Sequence, residues 1–106
     1  EMISDERVEQ AMRYLSKTDL PAAEAKSKAK ALEAYGKTAT AFGFLEASGT
    51  VAEREAQSVI TSHYTEYLEN YEEAVLASEH FANKRATEAG VREVWRSLQA
   101  NRRQGA

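Results

Sequence analysis

The chain has 106 residues, no cysteine, a net charge of −3 and 42 % hydrophobic residues, many of them alanine. That length holds one domain and one core. The missing thiols exclude disulfides, thiolate metal sites and cysteine nucleophiles, and the negative balance excludes a nucleic-acid binder that uses its whole surface. Helix formers dominate, so the expected class is all-α: an elongated antiparallel helical hairpin or bundle without strands, in a single helical domain. Ser4 precedes two acids and reads as the N-cap of a first helix over 4–17. Asp19 reads as the cap of a second helix over 20–47, with Pro21 in its first turn where a missing N–H is harmless. Ser48-Gly49 stops that helix, and Thr50 with Glu53 forms a capping box for a third over 51–100. Residues 101–106 are expected to be a flexible tail.

The second helix carries a seam of small residues. Ala22, Ala25, Ala29, Leu32, Gly36, Ala39 and Gly43 alternate spacings of three and four, the heptad pattern that admits a partner helix at close range. Each interior glycine costs about 1 kcal/mol relative to alanine. Close contact with Tyr64, Tyr67 or Tyr71 is the expected compensation.

Between Val51 and Gln99 there is no proline and one glycine, Gly90. As one helix this segment is roughly 73 Å long and the second helix roughly 40 Å, at about 1.5 Å per residue. Either the segment breaks near 61–63, with Ser62 capping a new helix, or it overhangs its neighbour. An overhang would expose Phe81, Val91, Trp95 and Leu98 together with Val94, each worth about 1.5–3 kcal/mol on burial. Phe81, Val91, Trp95 and Leu98 are therefore candidate interface residues of a homo-oligomer.

Chemical motifs fail. Gly36-Lys37-Thr38 resembles the end of a phosphate-binding loop, but position 31 is alanine and no strand precedes it. His63 and His80 lack the Glu three residues upstream that a di-iron bundle needs. No Asp lies beyond residue 19, which leaves no material for a Ser-His-Asp site. The expectation is a protein without enzymatic activity, cofactor or metal.

Charge is segregated. Residues 53–80 hold seven acids against Arg54, whereas residues 81–106 hold six basic residues against Glu88 and Glu93. Basic groups near a helix C-terminus complement its dipole. Trp95 with Arg92, Arg96, Arg102 and Arg103 is also a candidate nucleic-acid surface, of the kind in which an aromatic ring stacks on bases while arginines hold phosphates. A third reading pairs the acidic stretch of one chain with the basic end of another.

Gly49-Thr50-Val51-Ala52-Glu53-Arg54-Glu55-Ala56, followed by Val94-Trp95-Arg96-Ser97-Leu98-Gln99-Ala100-Asn101-Arg102, resembles a group of small, functionally uncharacterised helical proteins of tailed bacteriophages and prophages. The resemblance implies an accessory protein in the cytoplasm of a bacterial host and carries over no functional residues. No apolar run is long enough to cross a membrane, and the first residues show no secretory signal, which agrees with a cytoplasmic setting. The leading expectation is an oligomeric helical protein that binds another macromolecule, an unknown protein partner; the alternative is a nucleic-acid accessory protein in phage recombination or replication.

Overall fold

The computed structural model describes residues 3–105. Its helices are α1 (Asp5–Glu46), α2 (Val51–Ser58) and α3 (Ser62–Gly105), and no strand occurs among the described residues.

The largest departure from expectation is at the start. The first and second helices are one, and α1 runs through Pro21 without a break. A proline inside a helix removes one hydrogen bond and costs about 3 kcal/mol. Packing outweighs that cost, because the buried stripe of α1 does not stop at residue 22. Val8, Ala11, Leu15 and Thr18 precede Ala22 at the same three-four spacing, and all are buried or half-buried. Asp19 therefore caps nothing. It lies inside the helix with an exposed side chain, 3.5 Å from Arg85.

The other helix ends follow their local chemistry. The Ser4 hydroxyl accepts the Arg7 N–H at 3.1 Å. Gly49 takes φ +112°, a left-handed backbone that a side chain would strain. Thr50 Oγ1 accepts the Glu53 N–H at 3.2 Å and donates to the Glu53 carboxylate at 3.1 Å. The long segment does break, over residues 59–61. Thr61 rather than Ser62 supplies the cap, accepting the Tyr64 N–H at 3.4 Å and donating to the Ser58 carbonyl at 3.1 Å. The expected flexible tail is helical as far as Gly105. Arg102 and Arg103 in the last turn complement the helix dipole.

The chain divides into two compact units. The first combines α1 up to Ala23 with α3 from Glu79; the second is Glu24–Ser78. In the first unit the helices run antiparallel, with Asp5 beside Trp95, Arg7 beside Glu88 and Thr18 beside Arg85. In the second unit all seven residues of the small seam are buried or half-buried, with Ala39 wholly enclosed. Tyr67 lies over Gly36, its hydroxyl oxygen 2.9 Å from where a Cβ would stand. Gly43 lies under the backbone at Ser58 and the Thr61 hydroxyl instead of a tyrosine. Arg54 on α2 closes this end. Its guanidinium sits 4.3 Å from the Phe44 ring centroid and donates to the Phe44 carbonyl at 3.4 Å.

Candidate functional site

The inner face of the first unit is apolar with a polar cluster set into it, formed by Arg7, Thr18, Arg85 and Glu88. Arg7 donates from Nη1 and Nη2 to the two carboxylate oxygens of Glu88, each at 2.7 Å. Glu88 is only 4 % exposed, so the fork from Arg7 is what makes its ionised form tolerable there. The same hydrogen bonds hold the Glu88 carboxyl below the ordinary carboxylate range, against the opposing effect of burial, and strengthen the protonation of Arg7. One heptad position away, Arg85 Nη1 donates to the Leu15 carbonyl and to Thr18 Oγ1, both at 2.7 Å. Thr18 in turn donates to the Tyr14 carbonyl at 2.6 Å. These bonds secure the helical turn that leads into Pro21. Lys84 lies over the Tyr14 ring, 5.3 Å from its centroid.

In the second unit the contact is aromatic. Tyr67 is buried among Tyr35, Tyr64 and Tyr71, with ring centroids 5.8–5.9 Å apart, and it stacks nearly parallel on Tyr71. Burial raises the Tyr67 phenol above its usual range, with smaller contributions from Tyr71, Tyr64 and Glu33. His63 stands 5.0 Å from the Phe42 ring, centroid to centroid, and its Nε2 is 3.3 Å from the Tyr35 hydroxyl. Leu32, Tyr35, His63, Glu66, Tyr67 and Asn70 border an open cleft of about 320 Å³. Among the described residues no three His, Asp or Glu side chains gather to hold a metal ion, and no helix is long and apolar enough to cross a membrane.

The interface and nucleic-acid candidates from the sequence fall within the first unit. Phe81, Val91, Trp95 and Leu98 are each half-buried within the single chain. The reason is the continuity of α1: at 42 and 44 residues α1 and α3 are nearly equal in length, so the short first helix behind the overhang argument does not exist. Trp95 donates its indole N–H to Asp5 Oδ1 at 3.1 Å, which fixes one edge of the ring. Beside it, Trp95, Arg96, Gln99, Ala100 and Arg103 line an open cleft of about 640 Å³. Arg92 is half-buried, whereas Arg96, Arg102 and Arg103 are exposed. Glu93 lies 3.2 Å from Arg96 and 3.6 Å from Arg92, which offsets part of their charge. Glu66, Glu69, Glu72, Glu73 and Glu79 make no ion pair among the described residues, and no Lys or Arg occurs between Arg54 and Lys84.

Sequence reasoning missed the Arg7–Glu88 fork and the Arg85 contacts. The available signal was the heptad spacing, which puts Arg85, Glu88 and Arg92 on the stripe that carries Tyr64, Tyr67, Tyr71 and Ala74. No family model, curated protein or solved structure matches the chain.

Proposed function

We infer that this chain is a non-enzymatic, oligomeric helical protein that acts by binding another macromolecule. The observation that carries the reading is the thinness of what one chain buries. Among the described residues the buried hydrophobic ones are Val8, Ala11, Ala39, Tyr67 and Ala74, and no large side chain is fully enclosed. Eleven large hydrophobic residues among those described remain exposed, including Leu20, Leu45, Ile60 and Leu76 at 67–72 %. The groups with displaced protonation, Arg7, Glu88 and Tyr67, all sit in helix–helix contacts, which supports a structural use of the titratable residues rather than catalysis. The resemblance of 49–56 and 94–102 to small phage proteins supports an accessory role in a phage-infected bacterial cytoplasm.

Sedimentation equilibrium of the full chain at micromolar concentration tests the reading, with a mass above 11.8 kDa expected and a strict monomer refuting self-association. The cleft beside Trp95, with Arg96 and Arg103 on its border, favours a second reading, an accessory role on single-stranded nucleic acid. Trp95 is the sole tryptophan, so its fluorescence reports this directly. Quenching by an oligonucleotide that weakens steeply with salt supports that reading, and no quenching at low salt removes it.

A further inference from the structure

We propose that the cleft bordered by Tyr35 and Glu66 is a binding site for a guanidinium group, the side chain of an arginine on a partner protein. The proposal rests on the reading of a chain that binds another macromolecule and names the chemistry of that partner.

The cleft lies within the second unit, between α1 and α3. Leu32 and Tyr35 stand three apart on α1. His63, Glu66, Tyr67 and Asn70 stand at i, i+3, i+4 and i+7 on α3, the spacing that puts side chains on one helix face. The volume of about 320 Å³ is at the lower end of small-molecule pockets, which run from about 300 to 1000 Å³, and suits a single side chain.

Tyr35 is held in place from α3. Its ring centroid is 5.9 Å from that of Tyr67, at 52°, and its hydroxyl is 3.3 Å from His63 Nε2. It nevertheless stays 37 % exposed. A ring fixed by the fold is therefore open to a ligand, which lowers the ordering cost of binding. Glu66 and Asn70 are exposed, and Glu66 makes no ion pair among the described residues.

This lining selects a cation. Aromatic faces carry a negative potential, the carboxylate adds a full charge, and no Lys or Arg borders the cleft. Glu33 on α1 contributes to the raised Tyr67 phenol, so the surrounding field is negative from that helix as well. Among cations a guanidinium uses every group present. Its plane stacks on a ring while its N–H fork meets a carboxylate, a match that a compact ammonium lacks. The Asn70 side-chain carbonyl can accept a further N–H. The chain makes both halves of this contact with its own arginines: Arg54 lies 4.3 Å from the Phe44 ring centroid, and Arg7 forks onto Glu88 at 2.7 Å. At Tyr35 and Glu66 the ring and the carboxylate share a cleft that no arginine of the chain borders. The occupant is an arginine within a polypeptide, because free arginine also brings a carboxylate, and the cleft has no Lys or Arg to receive it.

The test is an NMR titration of the isotopically labelled full chain with N-acetyl-arginine amide at pH 8, above the ordinary histidine range. Saturable shifts are expected at the backbone amides of His63, Glu66 and Asn70, with weaker binding of N-acetyl-lysine amide. Glu66→Gln should weaken binding by about tenfold, the loss of a charge-assisted hydrogen bond. Glu72→Gln, which removes the same charge from α3 outside the cleft, should leave binding unchanged. Both are exposed positions and glutamine is a good helix former, so circular dichroism should show full helicity in each. Equal weakening in the two variants would reduce the effect to general attraction by an acidic helix and overturn the site. Free L-arginine binding more tightly than the capped analogue would overturn the assignment to a partner's side chain. No saturable shift at the cleft refutes the site, while self-association stands or falls separately on the sedimentation result.

Discussion

Adding one methyl group at Gly43 and at Gly36 should have different consequences, although both glycines lie on the same seam of α1. Alanine is favoured over glycine in a helix interior by about 1 kcal/mol, so each replacement starts with that gain. At Gly36 the new Cβ meets the Tyr67 hydroxyl at 2.9 Å. That oxygen is the far end of a side chain, and a small tilt of the ring relieves the contact. At Gly43 the neighbours are the Ser58 carbonyl oxygen, inside van der Waals distance, the Ser58 carbonyl carbon at 3.1 Å and Thr61 Oγ1 at 2.8 Å. Backbone there cannot turn aside without disturbing the end of α2 and the Thr61 cap of α3. Overpacking of this kind costs about 1–3 kcal/mol. Gly36→Ala should therefore fall within about 1 kcal/mol of wild type, and Gly43→Ala should lose about 1–2 kcal/mol net. Leucine at either site should cost more. Urea denaturation followed by circular dichroism at 222 nm measures all four variants. A stabilised Gly43→Ala protein would refute the close approach of the α2–α3 joint to α1.

Pro21→Ala should stabilise the chain by up to about 3 kcal/mol, because α1 is helical on both sides of residue 21; an unchanged melting temperature would mean that residue 21 sits in a first turn after all. Glu88→Gln should lower the melting temperature at neutral pH and flatten its acid dependence. Because Arg7 depresses the Glu88 pKa, the carboxylate's stabilising effect is fully present above the ordinary carboxylate range and is lost as pH falls through the depressed value. An acid profile that Glu88→Gln leaves unchanged would exclude the fork as a source of stability. Thr50→Ala removes the acceptor for the Glu53 N–H and should cost about 1 kcal/mol, read as faster hydrogen exchange at the start of α2; full protection there would rule out the cap.

Helical class, the small seam and the ends marked by Ser4, Gly49 and Thr50 were legible because each has a local cause that sequence exposes directly. The continuity of α1 was obscured by Asp19 and Pro21, which together imitate the start of a helix. A seam running from Val8 through Thr18 to Gly43 on one stripe, resolved in the structure as buried or half-buried throughout, carries more weight than those two residues, since burial along that whole stripe outweighs one lost hydrogen bond. Tyr67 over Gly36 was legible as a knob on a hole. Ser58 over Gly43 was not, because it depends on a backbone path through residues 59–61 that no side-chain pattern encodes. The polar cluster inside the first unit was hidden for a related reason. Arg85 and Glu88 read as surface charges until their stripe is traced.

That polar cluster answers a problem posed by alanine. A seam of small residues pairs almost as well after a slip of one heptad, because each layer resembles the next. The contacts of the first unit do not tolerate such a slip. Moving α1 by seven residues against α3 would bring Tyr14 to Glu88 in place of Arg7, leaving a carboxylate 4 % exposed without its counter-charge. The same slip would set Arg85 against Ala22 and Ala25, which offer neither the Thr18 hydroxyl nor Asp19. Breaking a buried ion pair costs more than the pair itself contributes. Arg7, Arg85 and Glu88 therefore act by penalising wrong registers. On that argument the double variant Arg7→Met, Glu88→Leu should remain helical and about as stable as wild type, yet populate more than one α1–α3 alignment. Distances between spin labels at Met12 and Lys84, each replaced by cysteine, distinguish the outcomes: a broadened distribution supports the argument, and a single sharp distance in the double variant rules it out.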